Sequence, residues 1–263
     1  MSRELLLRLA SASVLVPIGL AAVWYGGQAL MLLAAVCAAL MAFEWARMVE
    51  SRVGPLIIGG TVVPNLLFLA DPRWALIALV GAAALAAIVE YGKGERSSAL
   101  LGTLYTGGMP LALQALRAQP EAGFALAMGI MLMSWASDTS AYFVGRQFGG
   151  PLLAPNDSPN KTWSGAIGGA VGSALAGGAF GMLIEGPVIS WALVGVAASI
   201  FAQFGDLFES QLKRQYGVKD TSGFLPGHGG VMDRLDGFGT ATLITLVIVR
   251  LVPSLSVHLT PGA

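Results

Sequence analysis

Long apolar runs alternate with short polar connections along the whole chain. A membrane-spanning helix needs roughly 20 mainly apolar residues. Nine runs approach that length: 9–26, 28–46, 55–70, 74–91, 99–116, 122–143, 164–184, 187–207 and 238–257. The third is short and contains Pro64, and the fifth is interrupted by "GGMP" at 107–110. Helix breakers are tolerated inside bundles, so both are kept as spans. Arg3 and Arg8 precede the first run in the manner of a secretion signal. No small-x-small cleavage site follows and a second run comes at once, so the first is expected to be a retained anchor. The pattern predicts an all-α, polytopic integral membrane bundle of about nine transmembrane helices. It divides into N-terminal transmembrane hairpins, residues 1–120, and a C-terminal transmembrane region, residues 121–263, with polar loops at 144–163 and 208–237.

Composition agrees. Of 263 residues, 55% are hydrophobic and 11% charged, against about 25% charged in soluble domains. Net charge is zero, but its distribution is informative. Arg3, Arg8, Arg47, Arg52, Lys93, Arg96, Arg146, Lys161, Lys213, Arg214, Lys219 and Arg234 fall on one side of a nine-span topology; Arg73, Arg117 and Arg250 fall on the other. Twelve against three is a positive-inside asymmetry that puts the N-terminus and both polar loops in the cytoplasm. In a bacterium that means the inner membrane. The lone Cys37 lies in an apolar run and reads as packing. Glu44 and Glu90, near span ends, read as interfacial groups, and His258 as bland. The stripe Gly165, Gly169, Ser173, Gly177 and Gly181 permits close helix approach, read as packing within the chain before a subunit interface.

Ionisable groups at membrane depth are expensive and point to function. Asp138 and Asp206 sit near the cytoplasmic ends of the sixth and eighth runs. If the eighth helix continues, Asp206, Glu209 and Lys213 share a face, with Ser210 beside them; Asp233 and Asp236 project together if the ninth begins early. Glu209 and Asp157 read equally well as solvated. Carboxylates converging on one pocket suit a hard cation such as Mg²⁺, which shares its shell with phosphates. Lys161, Lys213, Arg214, Lys219, His228 and Arg234 surround them, and glycine pairs at 149–150 and 229–230 allow close backbone approach. An ordinary basic loop held to anionic lipid would explain the lysines and arginines but not three aspartates, a histidine and six glycines within 210–237. There is no phosphate-loop, zinc-protease or serine-hydrolase motif.

Residues 210–236, "SQLKRQYGVKDTSGFLPGHGGVMDRLD", closely resemble the signature of phosphatidate cytidylyltransferases, S-x-x-K-R-x4-K-D followed by P-x-H-G-G-x-x-D-R-x-D. "SDTSAYFVGRQFG" (137–149) and "SPNKTWSGAIGG" (158–169) also resemble that family. Asn160 stands where many relatives are basic and Ser164 where an acidic residue is common. The resemblance implies the reaction CTP + phosphatidate → CDP-diacylglycerol + pyrophosphate by an all-helical, homodimeric membrane enzyme. It implies Mg²⁺, with room beside it for a monovalent cation such as K⁺. The metal ligands would be Asp206 and Asp233, with Asp236 and Asp138 nearby. Catalytic roles would fall to Asp206, Asp233, Lys213, Lys219, His228 and Arg234. Substrate contacts would come from Lys161, Arg214, Ser210, Asp138, Asp220, Gly229 and Gly230. The expected partners are the two substrates and the bilayer, without nucleic acid. A CTP-dependent polyprenol kinase and a secondary transporter are the competing readings. A transporter would place its polar residues near the midplane in two related halves.

Overall fold

The computed structural model describes residues 3–90, 96–225, 229–252, 254 and 259–260, with side chains from residue 10 onward. Nine α-helices are present among them: α1 (Arg3–Tyr25), α2 (Gly27–Met48), α3 (Gly54–Leu67), α4 (Pro72–Val89), α5 (Arg96–Arg117), α6 (Gly123–Phe148), α7 (Trp163–Leu183), α8 (Val188–Gln215) and α9 (Met232–Leu251). Each overlies one of the nine apolar runs. Four of them, α2, α4, α7 and α8, are long and apolar enough to cross a membrane. Large apolar side chains face outward on several helices, among them Ile88, Leu175, Leu183 and Ile189. That exterior is what lipid covers, and the chain is an integral membrane protein of the all-α class.

One element was not anticipated. Between α6 and α7 lie two short antiparallel strands, β1 (Leu152–Ala154) and β2 (Ser158–Thr162), with Leu152 opposite Thr162 and Ala154 opposite Ser158.

The chain forms two compact units, Met1–Ala115 with Gln215–Leu235, and Leu116–Arg214 with Asp236–Ala263. In the first unit α3 packs on both α2 and α4. The α3 helix runs through Pro64, and Asn65 bridges to α5: its Nδ2 donates to the Thr61 and Gly107 carbonyls at 2.8 and 3.1 Å. Gln114 Nε2 donates in turn to Asn65 Oδ1 at 2.9 Å. Asp71 caps α4 by accepting from Arg73 N at 2.8 Å, which holds its carboxyl below the usual range. Glu90 is buried within the protein. It accepts from Ser51 Oγ at 2.5 Å and from the backbone N–H groups of Arg52 and Val53, tying the start of α3 to the end of α4.

In the second unit α7 is the central packing element. Its stripe Gly165, Gly169, Ser173, Gly177 and Gly181 is wholly buried, which decides for packing within the chain. A Cβ on Gly165 would lie 2.9 Å from the Ala141 carbonyl oxygen of α6. The Ser173 hydroxyl lies 3.1 Å from the Met133 carbonyl of α6 and 2.7 Å from the Gly195 carbonyl of α8. Phe180 and Trp191 meet edge to face, with centroids 5.0 Å apart. A Cβ on Gly177 would lie 3.0 Å from the Trp191 carbonyl carbon, and its oxygen is nearer still. Backbone cannot change rotamer to make room. Gly177→Leu should therefore lower the thermal midpoint of the purified protein by roughly 5 °C or more. An unchanged midpoint would show that α8 moves aside freely.

Candidate active site

The second unit gathers one set of expected site residues. The eighth apolar run ends near 207, but α8 continues to Gln215 before Gly217 turns the chain with a φ of 71°. The extension places Asp206, Glu209, Ser210 and Lys213 along one face. Lys213 Nζ pairs with Glu209 Oε1 at 3.2 Å, and Ser210 Oγ donates to Asp206 Oδ1 at 3.5 Å. Glu209 is fully buried, so it is not a solvated surface group. A buried carboxylate with a single-turn lysine partner steers that lysine's position as much as it adds stability.

Lys161 reaches Asp206 from the hairpin, and the two side chains form an ion pair through Nζ and Oδ2. The hairpin is fastened at its far end. Thr162 caps α7, with Gly165 N donating to its Oγ1 at 3.1 Å, and Ser164 Oγ donates to the Gly149 carbonyl at the end of α6. Ser164, where an acidic side chain was expected from relatives, thus acts as a tie between helix ends. Asp236 is buried on α9 and lies within electrostatic reach of Asp206, Lys213 and Lys161. Gly205 makes this proximity feasible: a Cβ there would lie 2.7 Å from the Asp236 carbonyl oxygen. Asp138 is exposed on α6, and the exposed Arg214 donates from Nε to the Asp157 carbonyl at 3.3 Å.

The first unit holds the other set, in residues 216–225 and 229–231 and the first turn of α9. Asp233 Oδ2 accepts from Thr221 N at 3.0 Å, Thr221 Oγ1 at 3.0 Å and Gly230 N at 2.9 Å. Gly229 has a φ of 81°, a left-handed conformation suited to glycine. A side chain there would begin 3.0 Å from Asp233 Oδ2 and 3.7 Å from Asp220 Oδ1. Lys219, Asp220 and Arg234 are exposed. His228, assigned a catalytic role from the sequence, lies outside the described residues.

The sequence reading missed Glu44. It is fully buried within the protein on α2. Its two oxygens accept from Thr221 Oγ1, Ser222 Oγ, Val231 N and Met232 N at 3.1, 2.6, 2.8 and 2.8 Å. Those partners are 177 to 188 residues away in the chain, beyond any local pattern. The one available signal was a carboxylate inside an apolar run.

Among the described residues, no group of three or more His, Cys, Asp and Glu side chains converges as a complete metal cage. The donor chemistry still fits Mg²⁺, which commonly takes one or two carboxylates and completes its shell with water and substrate phosphates. Asp206 and the buried Asp236 are two oxygen donors whose repulsion a dication would relieve.

Comparison with known proteins completes the picture. The family described as "Cytidylyltransferase family" matches residues 6–252. A protein named phosphatidate cytidylyltransferase from Brucella abortus is 37% identical over 246 residues, 90% of each chain. One of the same name from Helicobacter pylori (strain J99) is 38% identical over 174 residues, 65% of this chain and 64% of that one. Another from Bacillus subtilis is 45% identical over 106 residues, 40% of this chain and 39% of that one.

Proposed function

The chain belongs to the cytidylyltransferase family, and we propose that it is a phosphatidate cytidylyltransferase, converting CTP and phosphatidate to CDP-diacylglycerol and pyrophosphate. The observation that carries the substrate assignment is the similarity, across nine-tenths of both chains, to a protein named for that reaction. The site chemistry agrees with it. A phosphate oxygen of phosphatidate attacks the α-phosphorus of CTP; the bond from that phosphorus to the bridging oxygen breaks, and pyrophosphate leaves with the electron pair. The nucleophile is already an anion, so no general base is required. The obstacle is charge repulsion, and positioning with charge stabilisation is what the protein must provide.

Asp206 and Asp236, with Asp233 three residues earlier on α9, would hold Mg²⁺. When bound, that ion would neutralise and align the phosphate oxygens. Lys161 and Lys213 already flank the carboxylates of the second unit, and either ammonium can turn to a phosphate oxygen without a large backbone change. Arg214, Lys219 and Arg234 are exposed, where soluble nucleotide can meet them; Arg suits bidentate phosphate contact. Ser210, Asp138, Asp220, Gly229 and Gly230 would complete the substrate contacts. A monovalent cation beside Mg²⁺, a homodimeric assembly and a role for His228 in ordering phosphate belong to the same reading. The twelve-to-three distribution of Lys and Arg supports a site on the cytoplasmic face of a bacterial inner membrane, where CTP is available.

The test uses purified protein in detergent with phosphatidate, Mg²⁺ and CTP labelled separately in cytosine and in the γ-phosphate. Cytosine label is expected in the lipid and γ-label in pyrophosphate. γ-Label in the lipid with release of CDP would instead identify a lipid kinase and overturn the assignment.

A further inference from the structure

Glu44 stands out from the other buried acids. Among the described residues no lysine or arginine pairs with it, yet it is fully enclosed. An uncompensated buried carboxylate is strongly unfavourable. Here three donors and a Thr221 hydroxyl shared with Asp233 offset the cost, two contacts on each oxygen. Two of them, Val231 N and Met232 N, open α9, so Glu44 serves as a helix cap supplied from α2. The other two are the hydroxyls of Thr221 and Ser222, earlier in the connection between α8 and α9. One carboxylate thus pins both ends of the segment that carries Gly229 and Gly230.

The pin is coupled to a residue of the expected site. The Thr221 hydroxyl has one hydrogen and lies 3.1 Å from Glu44 Oε2 and 3.0 Å from Asp233 Oδ2. It joins the two carboxylates, and it can satisfy only one at a time. Gly230 is required between them, because a Cβ there would lie 2.7 Å from Glu44 Oε1. Apolar packing could hold a loop end as firmly at lower cost. A saturated carboxylate specifies one geometry for the backbone around Asp233.

We propose that Glu44 is a positioning residue for the transfer reaction: it fixes residues 221–222 and 229–232 so that Asp233 and the glycine pair are presented to the phosphates of the nucleotide. This rests on the functional reading above. It also assigns the N-terminal half a direct part in the site, although that half carries none of the signature residues.

The test compares wild type, Glu44→Gln, Ser222→Ala and the double variant, as full-length protein in detergent. Amide hydrogen exchange, CTP affinity, and kcat and KM for CTP are measured on each. Glu44→Gln keeps volume but turns an amide NH₂ toward hydrogen-bond donors. Losing two charge-assisted bonds should lower kcat/KM by about a hundredfold. Exchange should accelerate in 221–222 and 229–232 while the other helices keep wild-type protection. Ser222→Ala, which removes one donor from a partly exposed position, should cost roughly tenfold, and the double variant should lose less than the product of the two. Wild-type kinetics with a loosened loop would overturn the proposal, as would exchange accelerated throughout the protein with KM unchanged. If wild type itself transfers no cytidylyl group, the functional reading has failed. Glu44 is then judged on loop exchange and CTP affinity, and wild-type values for Glu44→Gln in both would overturn it.

Discussion

Asp206→Asn is expected to lower kcat by about a thousandfold or more, equivalent to roughly 4 kcal/mol of lost transition-state stabilisation. The substitution keeps the size of the side chain and its ability to accept from Ser210, so the fold of α8 should survive. What it removes is a charge. Two consequences follow, and they separate the roles Asp206 combines. Metal activation should weaken, so that activity rises with Mg²⁺ concentration well beyond the point at which wild type saturates. Lys161 also loses its counter-ion and becomes free to engage anions. The KM for CTP should therefore change far less than kcat. A variant with near-normal kcat and ordinary Mg²⁺ dependence would remove Asp206 from the metal set and leave it as a partner for Lys161 alone.

The second large effect concerns Asp233, where two substitutions should differ. Asp233→Ala removes the acceptor for Thr221 N and Gly230 N and leaves both donors buried, at about 1–3 kcal/mol each. Turnover should vanish and the loop should open, while the protein still inserts and keeps its helix content. Asp233→Asn can present its amide oxygen to the same donors. It should keep the loop closed, as read by hydrogen exchange, and still lose activity if Asp233 meets the metal. An active Asp233→Asn with a closed loop would make Asp233 a clamp and nothing more. The alanine variant alone cannot distinguish these outcomes, because ligand loss and loop opening both end turnover.

The parts that could be read from the sequence were those written in local pattern. The seventh run, 164–184, fell within a residue of α7 (Trp163–Leu183), because hydropathy marks where a helix is buried in lipid. The same criterion stopped the eighth run near 207, since polarity begins there. Helix propensity does not stop there, and the Glu209–Lys213 pair carries α8 a further turn. The condition that this helix continue was stated from spacing, and with it the shared face of Asp206 and Lys213. The hairpin at 152–162 was invisible for another reason: one strand is three apolar residues, the other a short polar stretch, and neither alternates. Glu44 was missed because its meaning lies entirely in partners from the other end of the chain. A carboxylate near a helix end looks merely interfacial until the loop that encloses it is present. The glycine pair at 229–230 was noticed as permissive. Its need arises from what stands beside it, the carboxylates of Asp233 and Glu44.

The joint along α7 has a mechanical consequence. Where Gly165, Gly177 and Gly195 meet neighbouring carbonyls, contact is backbone against backbone. Such a joint has no rotamers to exchange and no side-chain slack to take up. Sliding α7 by even a fraction of a turn would drive peptide groups into one another and break the two carbonyl contacts of Ser173. The helices of this unit therefore form a stiff frame with little configurational entropy left to lose. The hairpin bearing Lys161 runs directly into α7 and is tied to the same frame by Thr162, Ser164 and the Lys161–Asp206 pair. Lys161 and Asp206 are thus both anchored to that frame.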